Sequence, residues 1–215
     1  EVVKHGCREH RWSEPHLAAL QHAFDRMQPL AHLQQAMRTE RTWMVYYLSA
    51  PRSPAMRTYW PWWMIRGWVQ HNKVALMRFI TEATTAVDPV AGRVHLERID
   101  RLSDFEKELK KSRSPLTWFA RLFGGNFGAI VPCFGQSVKR HLQATVACAL
   151  ERHHVARGRY PANLDALTPE FIAQVPRDVF SGTPLRYALT PGGFTLTTLD
   201  SRGRDPGPGW IQDKL

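Results

Sequence analysis

The stretch "HHVARGRYPANLDALTPEF", residues 153–171, is heavily punctuated. A helical pattern runs into Gly158, and Tyr160-Pro161, Asn163 and Thr168-Pro169 follow in close order. Each is a start or stop signal. Glycine takes the left-handed conformation that ends a helix, Asn and Thr cap a new turn, and Pro fits a first helical position. The pattern predicts a long helix halting at Gly158, a turn capped by Asn163 through Leu167, and another helical turn with Pro169 at its first position. Beyond lie "PLRYAL" and "FTLTTL", two alternating runs joined by Thr190-Pro191-Gly192-Gly193. Pro then Gly at the central positions signals a type II turn, so these runs predict a β-hairpin. The segment "DSRGRDPGPG" reads as loop.

Upstream the periodicity is helical. Residues 16–28 place Leu17, Leu20, Phe24 and Met27 on one face, with Pro15 in the first turn. After Pro29 the apolar series continues through Leu30, Leu33, Met37 and Met44. Three prolines make 51–61 a connection, and helical spacing returns from Met64 to Ala83. "DPVAG", 88–92, is a turn. "SDFE", 103–106, reads as a capping box opening a short helix. The last long helix is expected from about Gln136. Residues 158–215 hold 14 of the 29 Gly and Pro residues, which separates a looped end from a helical beginning. The fold class expected is α+β. A mostly helical region, 1–131, precedes a domain of one long helix and a small antiparallel sheet, 132–215.

The most apolar stretch is "LTWFARLFGGNFGAIVPCFG", 116–135. Its length matches the roughly 20 residues that span a bilayer. Arg121, Asn126, four glycines and Pro132 favour instead a buried, kinked segment joining the two regions in one core. The chain opens Glu1-Val2-Val3 without an initiator Met, as an excised or processed piece does, so a membrane anchor upstream is compatible with it.

Lys and Arg number 29 against 19 Asp and Glu, a formal charge of +10. Such a field favours anionic partners, whether nucleic acid, acidic lipid or acidic glycan; a solvated Arg-rich surface is the plain alternative. Three scattered cysteines, Cys7, Cys133 and Cys148, give neither a disulfide framework nor a zinc knuckle. Cys133 and Cys148 are the pair considered for a bond, although the apolar pattern around Cys148 suits a buried thiol.

The order long helix, "GRYP", "LDAL", "VPRDVFSGTPLRY", "TPGGFTL" and "GRDPG" resembles the globular part of the major pseudopilin of type II secretion. The matching positions run from Gly158, Tyr160 and Pro161 through Asp178, Tyr187 and Phe194 to Gly203 and Asp205, within residues 136–209. The upstream "LAALQHAF" and "RTERTW" resemble recurring helices in envelope proteins of planctomycete- and verrucomicrobial-type bacteria. These resemblances imply a helix packed on a small antiparallel sheet, a periplasmic or envelope-associated location, and a non-catalytic role in secretion or pilus-related protein contacts. In this chain more than a hundred residues of other helices precede the long one, which departs from the pseudopilin plan of a membrane-spanning N-terminus.

Major pseudopilins also hold calcium after the last strand, so the resemblance implies Asp200 and Asp205 as ligands. Calcium wants six to eight oxygens, whereas Arg202 and Arg204 lie between these carboxylates, and an empty connection is the competing expectation. His153 and His154 are adjacent and diverge by about 100° on a helix, which does not suit one metal ion. No nucleophile elbow, P-loop or dinucleotide fingerprint appears, so neither enzyme nor cofactor is expected beyond that calcium. "RTYWPWWMIRGW", 57–68, is the remaining oddity. Arg57, Trp60, Trp62, Trp63, Arg66 and Trp68 could stack bases or sugars, or sit at a membrane interface. They are the binding candidates for an acidic polymer or anionic lipid, against a reading in which the Trp rings simply pack between helices.

Overall fold

The computed structural model describes residues 6–7, 11–49, 62–117, 120–121, 129–191, 193–198 and 210–212. The fold is α+β, as expected. Helices α1 (Glu14–Arg26), α2 (Pro29–Ser49), α3 (Trp62–Thr85), α4 (Leu96–Lys111) and α5 (Ile130–Arg157) account for most of it. Two-residue strands β1 (Val87–Asp88) and β2 (Arg93–Val94) pair between α3 and α4. Strands β3 (Arg186–Thr190), β4 (Gly193–Thr197) and β5 (Trp210–Gln212) form an antiparallel sheet in that order.

The chain divides into two compact units. One comprises residues 1–29 with 135–215, the other residues 30–134. The division therefore differs from the expected boundary at 131/132 in its first 29 residues, which belong with the C-terminal part. The reason is visible in α1. Leu17, with 1% exposure, joins a core made by α5 and the sheet, and Gln21 donates to the Phe171 carbonyl at 2.6 Å. Arg152 on α5 binds the Glu14 carboxylate at 3.0 Å and the Gln21 side-chain oxygen at 3.0 Å. The expected apolar face of α1 holds for Leu17, Leu20 and Phe24, but Met27 lies past the helix end and is 54% exposed.

α5 is 28 residues long, about 42 Å at 1.5 Å per residue. It starts six residues earlier than expected, because Pro132 sits in its first turn, where a missing N–H is harmless. From Gln143 to Glu151 every side chain is buried. One side of this segment meets the sheet: Gln143 donates to the Leu196 carbonyl at 3.2 Å, and Val146, Leu150, Phe194 and Leu196 share one apolar cluster. β4 is the central strand, so its alternate residues Phe194 and Leu196 are fully buried while Thr195 and Thr197 are only half-buried.

The "GRYP" punctuation is the joint between helix and sheet. Gly158 adopts φ 71° and its N–H closes onto the His154 carbonyl at 2.8 Å, ending α5 as expected. Tyr160 then folds back along the helix, its hydroxyl donating to buried Glu151 at 2.7 Å and its ring stacking on His154. The Pro161 carbonyl accepts the Tyr187 hydroxyl at 2.8 Å, which ties the joint to β3. Asn163 caps the 3-10 turn Leu164–Leu167 by accepting from the Ala166 N–H, as expected. Residues 168–171 form the further turn, which does not extend into a helix: the N–H groups of Phe171 and Ile172 both converge on the Leu167 carbonyl. Asp178, 2% exposed, accepts from the N–H groups of Phe180 and Ser181 and so shapes the "PRDVFSG" loop.

The hairpin is present in the expected place. Thr190 pairs Gly193 and Leu189 pairs Phe194. β5 was not expected from the sequence; it pairs β4 through Thr195 with Ile211.

In the other unit, α2, α3 and α4 bury Leu30, Leu33, Met37, Leu76, Phe79, Ile80, Ile99 and Leu102. The "SDFE" capping box is a correction. Ser103 lies inside α4, whose N-cap is His95, because Ile99 and Leu102 extend the buried stripe a full turn upstream. "DPVAG" is the expected turn, with the Asp88 carboxylate accepting from the N–H groups of Val90 and Ala91. Asn72, fully buried, accepts from the Ala120 N–H at 2.7 Å and donates to the Leu116 carbonyl at 2.6 Å.

Candidate functional site

α3 and α4 leave a groove of about 570 Å³ between them. Its apolar wall is built from Val74, Met77, Phe79, Leu102 and Phe105. Phe79 and Phe105 sit with ring centroids 6.0 Å apart, and the Arg78 guanidinium lies 5.9 Å from the Phe105 ring centre. The sequence produces this groove because Val74 and Met77 stand beside, not on, the stripe that α3 buries through Leu76, Phe79, Ile80 and Ala83. Val74 is consequently 58% exposed on an otherwise polar flank.

The charged side chains lining the groove are Lys73, Arg78, Glu82 and Arg101. Glu82 has Arg98 at 3.7 Å. Three cations and one carboxylate thus line an apolar floor. That combination can hold an amphipathic anion, with guanidinium groups reaching carboxylate or phosphate oxygens and the wall taking up apolar matter.

A second hollow, about 260 Å³, lies between α1 and the turn at 169–173. Its charges are mixed, with Asp25 and Glu170 facing Arg152. Arg152 is already bound to Glu14 and Gln21, so this hollow reads as a seam of the fold.

Most of the residues singled out in the sequence fall outside what the structure describes. Arg57, Trp60, Asp200 and Asp205 lie outside the described residues, and of Trp62 and Trp63 only the backbone, in the first turn of α3, is described. Arg66 is exposed. Trp68 is half-buried and packs against Val69, Leu76, Leu109 and Ala120, so this one ring of the cluster belongs to the core. His153 and His154 diverge as expected, the first to the Arg159 carbonyl at 2.9 Å and the second onto Tyr160. Among the described residues no group of three or more His, Cys, Asp or Glu converges as metal ligands do, and no helix is long and apolar enough to cross a membrane.

Sequence reasoning passed over Lys73, Arg78 and Arg101. The available signal was an apolar pair, Val74 and Met77, off the buried stripe and flanked by cations.

No protein family, curated protein or solved structure matches this chain.

Proposed function

We propose that this is a non-catalytic protein of the cell envelope that acts through protein contacts, with its C-terminal unit on the plan of a pseudopilin globular domain. The reading is supported by one arrangement: a 28-residue helix, stopped at Gly158, whose buried side carries an antiparallel sheet through the "GRYP" joint. Secretion- or pilus-related partners follow from the sequence resemblance. β3 is an edge strand of the sheet and exposes Leu189, which makes it the surface on which a partner would dock. Fractionation of the native chain tests the location, and photo-crosslinkers at Ala188 and Leu189 in living cells test the contact. A discrete adduct formed from these positions, and absent from Val90 on the other unit, is expected. Recovery in the cytosolic fraction with no position-dependent adduct would reject the proposal.

A second reading rests on the basic groove. Here the ligand is an acidic polymer or anionic lipid surface, and the chain's +10 charge supplies long-range attraction. Binding to heparin or to vesicles rich in phosphatidylserine should fall steeply with added salt. It should also weaken several-fold in an Arg78→Ala/Arg101→Ala double variant. Absence of binding at low salt removes this reading; salt-sensitive binding that the double variant leaves intact removes the groove from it.

A further inference from the structure

We propose that Cys7 and Cys148 close an intramolecular disulfide that staples the N-terminal segment to the long helix. The two residues are 1% and 0% exposed and belong to one core cluster. They are the two cysteines of that cluster, packed in it beside Val146, Ala147, Ala149 and Leu150 of α5. Both are free thiols here. The alternative partner considered from the sequence, Cys133, is exposed and lies on the same helix as Cys148, some four turns away. Two helical residues that far apart are separated by about 22 Å of rise, while a disulfide needs Cα atoms within roughly 7 Å. The described structure therefore selects Cys7.

The chemistry needs an oxidant, and a low-molecular-weight disulfide such as oxidised glutathione suffices. One protein thiolate attacks a glutathione sulfur, breaking its S–S bond and releasing one glutathione thiolate. The second protein thiolate attacks the sulfur of the mixed disulfide, forming the Cys7–Cys148 bond and releasing the other glutathione. Two thiol protons and two electrons have then left the protein, and the oxidant has become two thiols. In the folded state the hydrogen bond to Cys148 and then burial push the Cys7 thiol far above its ordinary range. A buried thiol that resists ionisation exchanges slowly. The bond is accordingly expected to form while Cys7 is still undocked, during folding. Once formed, it holds Cys7 against α5, next to Gly6, whose carbonyl accepts the Arg11 N–H at 3.0 Å.

The test uses the full chain carrying Cys133→Ser. It is reduced, unfolded, refolded in a glutathione redox buffer and alkylated under denaturing conditions. Neither remaining cysteine should take the alkylating agent, and a digest should contain a Cys7–Cys148 linked peptide. The melting temperature should fall by about 5–15 °C on adding reductant, the range expected for a bond closing so long a loop. The same reductant should leave a Cys7→Ala/Cys148→Ala variant unchanged. Full alkylation of both cysteines, glutathione left on either one, or a bond joining two chains would each overturn the proposal. So would an equal reductant effect on the double variant.

Discussion

Phe194→Ala is expected to be among the most damaging single truncations in the C-terminal unit. Phe194 has no exposed surface and stands on the central strand of the sheet. The Tyr160 ring meets it at 5.1 Å and 69°, and the Tyr187 ring lies at 6.2 Å. Removing the ring forfeits a transfer free energy of about 1.5–3 kcal/mol. The surrounding side chains are held by hydrogen bonds, Tyr160 to Glu151 and Tyr187 to Pro161, so collapse into the void is restricted. The total should approach about 3–5 kcal/mol. At roughly 2–4 °C per kcal/mol for a chain of this size, the melting temperature drops by about 6–20 °C. Leu189 is the internal control: it is the register partner of Phe194, yet 51% exposed. Its truncation should change stability by no more than about 1 kcal/mol. Urea unfolding followed by far-UV circular dichroism reads both variants, and unchanged slopes identify a true stability change. Equal effects from the two variants, or a Phe194→Ala effect below about 1 kcal/mol, would refute the packing of β4 against α5.

Asn72→Ala leaves the buried Ala120 N–H and the part-exposed Leu116 carbonyl without that partner; at about 1–3 kcal/mol for the buried group and at most about 1 kcal/mol for the other, a loss of about 1–4 kcal/mol is expected in chemical denaturation. Gly135→Ala should destabilise by about 1–3 kcal/mol, although Gly to Ala in a helix ordinarily stabilises. The new Cβ would sit 2.5 Å from the ring tip of buried Phe180, and a raised melting temperature would contradict that contact. Burial lowers the His141 pKa from its ordinary 6.5, with the Phe24 backbone and then Asp25 opposing the shift. The unfolded chain therefore binds the proton more readily, so this contribution is complete above pH 6.5 and lost as pH falls from there through the folded value. Melting temperatures from pH 7.5 to 5 should decline less in His141→Phe than in the parent.

How much of this was legible follows from the range of the signals. Local ones were readable: Gly158 needs only its own φ, Asn163 only an N–H three residues on, and the hairpin only its two strands. The capping box at 103–106 failed because a local hydrogen-bond option competes with burial, and Ile99 and Leu102 decide for burial. The start of α5 at Ile130 was hidden for a related reason, since a proline stops a helix only from its interior, and nothing local says which turn Pro132 occupies. β5 was unreadable because a three-residue strand at the end of a Gly- and Pro-rich tail exists only by virtue of its partner, β4. The grouping of residues 1–29 with 135–215 was equally hidden. It depends on Leu17, Gln21 and Glu14 finding α5 more than a hundred residues later.

The candidate site was less legible than the fold, and the Trp-rich stretch shows why. Aromatic and basic residues interleaved at 57–68 satisfy a binding pattern and a packing pattern equally well, because a ring buries the same area in either setting. Trp68 goes to the core beside Val69 and Leu76, while its neighbour Arg66 is exposed, so composition alone cannot separate the two outcomes. The groove follows the opposite logic. Lys73, Arg78 and Arg101 are unremarkable in the sequence, and only the approach of α3 to α4 places them around Val74, Met77 and Phe105. A basic rim is a property of two helices together. Binding in the groove would therefore need both helices, which is why the salt dependence of binding and the response of the Arg78→Ala/Arg101→Ala variant have to be read side by side.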